Sequence, residues 1–502
     1  MHTHLEVERK FAAEPDALLP AFGDLAVVDA TREFHLVATY FDTPDYALAR
    51  AGVTLRRRTG GSDAGWHAKL PKSADNRVEV HADLDSGRSA VLVPDRMRAE
   101  LSELVGLAPL VPIAELRTHR IERDLCAGRG GQVLGVLCDD TVLALRSTGR
   151  TDSVERWREI ELELAEGSPD WFGSVGDAIA ATTGFSVAAD ASKLAHALGP
   201  LPEITEHSPD TSARTVLLDH LAEQVGVIQG RAADLVVDAP GAVHKTRVAT
   251  RRLRSALRTF RDLMDRSITD PLRMELKWFA TELGGPRDAE VLKARLLADL
   301  ERLPDDAVDG PVIERITTEL DATHDRARET LLEAMESPRY VLLHQALVRL
   351  LTHPPLLDEA DRPAGQVLRD PINKARKRVL RWDRYAHERT GDEHWEALHE
   401  TRKKAKAMRY ACEAVSSAFP EAGPAAKAWE AVTETFGGLQ DGVVARQRLH
   451  ELADIARAHG ESTFSYGVLY GWEINESEHD REVSARALTR ANAKEHRSWL
   501  RR

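Results

Sequence analysis

The stretch LEVERKF, residues 5–11, decides how the first part of this chain folds. Glu6, Glu8 and Lys10 recur at every second position, and successive side chains of a strand point to opposite faces, so all three share one side of a sheet while Val7 takes the other. The same alternation groups Arg56 with Arg58, His67 with Lys69, Glu79 with His81, and Glu159 with Glu161 and Glu163, with Leu55, Ala68, Val78, Ile160 and Leu162 facing away. A face turned to solvent tolerates Ser, Thr, Gln and Asn as readily as full charges. Here the positions are almost entirely Glu, Arg and Lys, segregated by strand, which predicts a sheet closed around a charged lumen.

Eight period-2 runs carry this pattern, at 5–11, 37–41, 53–59, 66–70, 77–84, 117–125, 132–140 and 157–164, and they predict an antiparallel sheet or barrel. Helical stretches near 45–51, 95–106 and 170–184 make this part α+β. From about residue 212 the period becomes 3.6, in segments at 211–236, 241–264, 270–300, 310–335, 338–352, 370–389, 393–417, 424–436, 441–459 and 462–490. GPLPEITEHSPD, residues 199–210, is the linker, with the boundary near 205.

The helical part repeats itself. His244, Arg247, Arg251 and Arg254 of VHKTRVATRRLRSAL recur 155 positions later as His399, Arg402, Lys406 and Arg409 of LHETRKKAKAMRYAC. LGGPRDAEV at 283–291 recurs as FGGLQDGVV at 436–444, so Asp288 matches Asp441. At about 100° per residue each set of four spans roughly 80° of a helix surface, a narrow basic stripe extended by Arg258 in the first copy. Two such stripes on equivalent helices can face each other across one groove, where like charges repel until a polyanion relieves them. The Gly-Gly pairs read as turns, with Asp288 and Asp441 either capping a helix start, the favoured reading, or orienting the arginines.

Composition limits the partners. The chain has 502 residues, 42% hydrophobic and 30% charged, with a net charge of −13, which argues against coating nucleic acid diffusely. Neither part is basic: residues 1–200 hold 22 basic and 31 acidic side chains, and residues 201–502 hold 46 and 50. Cys126, Cys138 and Cys412 form no paired framework or metal-ligand spacing, which fits a reducing compartment. With no membrane-length apolar run and no secretory pattern at the N-terminus, a cytoplasmic protein is expected.

The ExExK strand at Glu6–Lys10, the LRRR strand, the R-x-E strand at 77–79, the EIELE strand at 159–163 and SKL at 192–194 resemble the CYTH domain of triphosphate tunnel metalloenzymes over about residues 1–200. That resemblance implies an eight-stranded antiparallel tunnel that hydrolyses triphosphate with Mg²⁺ or Mn²⁺. It implies metal-binding carboxylates at Glu6, Glu8, Glu159 and Glu161, with Glu79 and Asp140 as additions, and catalytic roles for Glu6, Glu8 and Lys10. Lys10, Arg56, Arg58, Lys69, Arg117 and Lys193 would hold phosphate; Arg120 joins them only if a bulge turns it to the side of Arg117. Val136 stands where the family often has an inward carboxylate, and His119 where an arginine is common.

VHKTRVATRRLRSAL, LGGPRDAEVL and LHETRKKAKAMRYACEA resemble the CHAD domain, a helical domain associated with inorganic polyphosphate, over about 210–495. The resemblance implies phosphate contacts at His244, Arg247, Arg251, Arg252, Arg254, His399, Arg402, Lys406 and Arg409. The expected fold is therefore an α+β tunnel domain, 1–200, a linker, 201–210, and an all-α duplicated helical bundle, 211–495. The expected function is metal-dependent hydrolysis of inorganic triphosphate with an appended polyphosphate-binding module, without specific nucleic-acid or membrane partners and with polyphosphate granules as a place of association. The alternative is a non-enzymatic polyphosphate-binding protein with a degenerate tunnel. Adenylate cyclisation is a third reading, for which no base-recognition motif is found.

Overall fold

The computed structural model describes residues 7–61, 63–73, 76–84, 89–147, 152–190 and 192–501. Contacts divide the chain into two compact units, Met1–Ile204 with Leu347–Pro354, and the remainder.

The first unit is built on strands β1 (Glu8–Ala13), β2 (Val27–Asp42), β3 (Thr54–Thr59), β4 (Gly65–Ser73), β5 (Asn76–Ala82), β6 (Val111–Cys126), β7 (Val133–Ser147), β8 (Asp152–Leu164) and β9 (Phe185–Val187). All pair antiparallel, in the order β5-β4-β3-β2-β6-β7-β8-β1-β9. The eight runs read from the sequence each fall within or overlap one of the first eight strands; β9 is three residues long at the sheet edge, too short for period 2 to reveal. Residues of β1 and of β3–β5, which lie far apart in this order, line one cavity of about 260 Å³, so the sheet curls around a lumen.

The apolar residues between the charged ones face outward beneath helices. Leu55, Trp66, Ala68 and Val80 bury against Met97 of α2 (Asp95–Glu100), Val105 of α3 (Ser102–Val105) and Leu101 between them, beside α1 (Ala47–Arg50). Phe11, Ile160 and Leu162 bury against Val175 and Ile179 of α4 (Pro169–Ala180), whose start is set by Pro169 and by Ser168 accepting from the Trp171 amide. At one end the inner face itself turns apolar: Ala38, Leu116, Val142 and Ala144 close on Leu194 and Ala197 of α5 (Lys193–Leu198). Helices thus cover the outside so that the charges can face inward.

From residue 213 the described chain is helical: α6 (Ala213–Gly230), α7 (Ala232–Val236), α8 (Ala242–Thr259), α9 (Arg266–Glu282), α10 (Gly284–Glu301), α11 (Val312–Glu336), α12 (Pro338–Thr352), α13 (Ala364–Val367), α14 (Arg369–His387), α15 (Gly391–Glu413), α16 (Ala422–Ala458), α17 (Phe464–Ala491) and α18 (Lys494–Arg497). One expectation fails here. The second Gly-Gly pair is not a turn, because Gly437 and Gly438 lie inside the 37-residue α16, and the first, Gly284-Gly285, opens α10 directly after α9. The α9–α10 pair of the first copy is thus a single helix in the second. Among the described residues no helix is long and apolar enough to cross a membrane.

Candidate functional site

Antiparallel register stacks the inward residues of four strands into three rows. Arg120, Asp140, Glu159 and Ala12 form one; Glu122, Cys138, Glu161 and Lys10 the next; Asp124, Val136, Glu163 and Glu8 the third. Four carboxylates and three cations interlock across them. Lys10 Nζ stands 2.8 Å from Glu161 Oε1 and 3.5 Å from Glu8 Oε1. Arg120 forks onto Asp140 at 2.8 and 2.7 Å and reaches Glu161 Oε2 at 2.6 Å. Lys193 Nζ touches Asp140, Glu159 and Glu161 at 3.0, 2.7 and 2.7 Å. Ser192 accepts from the Ala195 amide and starts α5 so that Lys193, the first helical residue, reaches inward.

Electrostatics keeps these groups charged. Burial opposes ionisation of Glu161, yet Lys193, Lys10 and Arg120 hold its carboxyl well below the usual range. Burial likewise works against the Lys193 ammonium, and Glu161, Asp140 and Glu159 outweigh it, raising its pKa well above that of a free lysine. Asp140, Glu159 and Glu161 present oxygens within 4.8 Å of one another. These hard donors, already converging on a cation, fit Mg²⁺ or Mn²⁺.

The opposite wall is basic. Arg56 is buried against the Tyr40 hydroxyl and faces Glu79 and Glu161. Arg58, ion-paired with Asp63, is pushed down to about 10 by burial and by the charges of Arg56 and Arg120. Glu79 bonds His67 Nδ1 at 2.9 Å and lies 3.9 Å from Lys69 Nζ; against the effect of burial, His67, Lys69 and Arg56 hold it at about 2. Glu79 thus pairs with the basic wall, apart from the carboxylate trio.

Two sequence expectations change on β6. No register shift separates Arg117 from Arg120, so strict alternation places Arg120 and Glu122 inside and Arg117 outside, where it is 58% exposed and held by Glu115 at 2.8 Å. Arg117 therefore does not line the tunnel, and Arg120 does so without a bulge. His119 also faces outward, so the arginine it stands in for cannot be missing from the lumen on its account. Val136 does face inward, opposite Glu163 and Asp124. Arg32 grips Glu122 at 2.6 Å and Asp124 at 2.5 Å, a group the sequence reading missed although extending the alternation from Arg120 points to both acids. Glu6 and the side chain of Arg77 lie outside the described residues.

In the helical unit α8 packs beside α15, and the stripes meet. Burial first, then the fields of Arg251, Arg402 and Arg247, push Lys406 down to about 6, while Asp441 opposes the shift. Arg402 is lowered by burial and by Arg251 and Arg247 in the same way. Arg254 lies beside Arg251, Arg273 and Arg258. Among the described residues Arg251, Arg254 and Lys406 form no ion pair.

Contacts beneath the stripes repeat with the sequence. Arg247 bonds Asp288 at 2.9 Å and Arg402 approaches Asp441 at 3.8 Å; His399 bonds Gln440 at 2.6 Å, while His244 lies beside Arg287, the repeat counterpart of Gln440. Asp288 and Asp441 lie inside helices, so they orient arginines and cap nothing. A Cβ on Gly284 would stand 3.6 Å from Arg247 Nη2, an ordinary contact, and one on Gly437 3.3 Å from Arg402 Nη2, a slightly tight one, so in both copies the guanidinium lies close to the first glycine. Two residues expected to contact phosphate are tied to acids. Arg252, about 100° around the helix from Arg251, bonds Glu413 at 2.7 Å, and Arg409 is shared by Glu413 and Glu430 at 2.7 Å each.

A family model of the CYTH domain matches residues 4–196, and one of the CHAD domain matches residues 219–450. An uncharacterized protein of Mycobacterium tuberculosis is 35% identical over 505 residues, covering 97% of this chain and 96% of its own. Among solved structures, PptA from Streptomyces chartreusis is 24% identical, covers 56% of this chain and 99% of its own, and has a TM-score of 0.47. The CHAD domain from the plant Ricinus communis is also 24% identical, covers 57% and 95%, and scores 0.46.

Proposed function

The chain belongs to the family of proteins that carry a CYTH domain followed by a CHAD domain, and from that premise we propose that its tunnel hydrolyses inorganic triphosphate, or a related triphosphate end, while its helical unit binds inorganic polyphosphate. One observation carries the enzymatic reading: Glu161 of the buried carboxylate trio Asp140, Glu159 and Glu161 lines one cavity together with Glu8, Arg56, Arg58 and Lys69. An anionic chain entering the lumen meets arginine forks that match its oxygens and lysines that act as point charges. Arg56, Arg58 and Lys69 hold it on the basic wall. Lys10, Arg120 and Lys193 exchange part of their contact with the acids for contact with phosphate. Mg²⁺ or Mn²⁺ held by Asp140, Glu159 and Glu161, with Glu8 nearby, would polarise a phosphoryl oxygen and lower the pKa of a bound water. Positioning and charge neutralisation supply most of phosphoryl-transfer catalysis, and the lumen provides both.

The test is phosphate release from triphosphate, long polyphosphate and ATP with Mg²⁺ or Mn²⁺. Glu8→Ala/Glu161→Ala should lower metal-dependent release by about 100-fold or more. Absence of metal-dependent release from all three substrates by the wild type leaves the non-enzymatic, polyphosphate-binding reading in its place. For the helical unit, Arg251→Ala/Lys406→Ala in the full chain should weaken polyphosphate binding; unchanged affinity at moderate salt rejects the two-stripe groove.

A further inference from the structure

On the outer face of the sheet, away from the lumen, two paired strands bring three metal-binding side chains together. His35 of β2 and His119 of β6 are direct cross-strand partners, and Glu33 lies two residues before His35 on the same face. His119 Nε2 stands 2.6 Å from Glu33 Oε1, and the two imidazoles stack with centroids 4.9 Å apart and planes 27° from parallel. Each of the three offers a ligand atom within 4.8 Å of the others, and Glu33 and His119 are 62% and 39% exposed, so an ion reaches them without unfolding. Arg117, the nearest cation along β6 on this face, is tied to Glu115, which leaves the Glu33 carboxylate to His119.

We propose that Glu33, His35 and His119 form a surface site for one borderline divalent cation, Zn²⁺ first among them, with the remaining coordination positions filled by water. Two imidazole nitrogens and one carboxylate oxygen are the donor set zinc takes, at about 2.0–2.2 Å, which puts tetrahedral ligands roughly 3.3 Å apart. Exposed side chains close to that spacing by rotation about χ1 and χ2, while the sheet keeps the backbones in place. The site differs in kind from the lumen. All-oxygen donors there suit Mg²⁺ and Mn²⁺, whereas imidazole pairs favour later transition metals, so the two sites sort metals by donor type.

The experiment uses the full chain stripped of metal. Zn²⁺ binding is measured by competition with a chromophoric chelator, and Co²⁺ absorption reports nitrogen ligation. Variants are His35→Ala/His119→Ala, Glu33→Gln, the lumen variant Glu159→Gln/Glu161→Gln, and His2→Ala/His4→Ala, which removes two histidines two positions apart in the N-terminal sequence. One equivalent of Zn²⁺, resistant to excess Mg²⁺, is expected in the wild type, the lumen variant and the His2/His4 variant. The His35/His119 variant should lose it together with the Co²⁺ bands, and Glu33→Gln, which keeps the hydrogen bond to His119, should weaken it at least about tenfold. Metal-free melting temperatures, expected to match the wild type at these exposed positions, show that the variants are folded. Full Zn²⁺ stoichiometry in both the His35/His119 and Glu33 variants overturns the site, as does loss of the equivalent in the lumen variant or the His2/His4 variant.

Discussion

Arg117 and Arg120 lie three positions apart on β6 and therefore on opposite faces, which gives the tunnel reading a direct check. Arg120→Ala removes the guanidinium that ties Asp140 to Glu161 and should lower triphosphate hydrolysis by about 100-fold. Arg117→Ala, on an exposed residue paired among the described residues with Glu115 alone, should leave kcat/KM within about twofold of wild type. A second residue-scale prediction concerns pH. Burial and three neighbouring arginines hold free Lys406 at about 6, and a bound polyanion favours its charged form, so binding takes up a proton above that pH. Polyphosphate affinity should therefore weaken from pH 6 to pH 8, by at most about tenfold per unit, and Lys406→Arg should flatten the profile. Calorimetry in buffers of different ionisation enthalpy reads the proton uptake directly.

At the scale of the element, α10, α16 and α17 carry the informative changes. Gly437→Ala removes a helix-interior glycine from α16, worth about 0.5–1 kcal/mol of stability, but sets a methyl 3.3 Å from Arg402 Nη2. The expected result is a melting temperature no lower than wild type with weaker polyphosphate binding, a combination that loss of folding cannot produce. Between α10 and α17, Arg295 forks onto the fully buried Glu473 at 2.7 Å, and burial together with Glu473 pushes Asp299 up to about 6. A carboxyl raised above its unfolded value costs stability once the unfolded chain ionises, from about pH 4, and the cost levels off above pH 6. Asp299→Asn, which still donates to Glu473, should raise the melting temperature by an amount that grows over that window and is flat beyond it. Element types were legible because period 2 and period 3.6 are local signals: the eight longer strands and most long helices follow their runs. The fusion of 424–436 with 441–459 into α16 was not legible, since Gly-Gly reads as a turn until Arg402 is seen lying against it.

For the whole molecule the question is how a chain of net charge −13 takes polyanions. Basic side chains are concentrated on one wall of the lumen and in the cluster of Arg247, Arg251, Arg402 and Lys406, while the acids pair with cations or lie elsewhere. Four cations contacting a flexible polyanion imply that polyphosphate affinity falls by about 50-fold between 50 and 200 mM salt. A slope near that of one or two charges in a salt titration would mean that the stripes do not act together. Sequence alone determined which residues share a strand face or a helix stripe, because those relations depend only on backbone period, and the internal repeat marked the stripes that matter. Tertiary structure decided the rest. It put Arg120 inside and Arg117 outside, tied Arg252 and Arg409 to Glu413, and paired His35 with His119. Each of these depends on strand register or on a neighbour far along the chain, and no local period encodes which distant carboxylate or imidazole a side chain will meet.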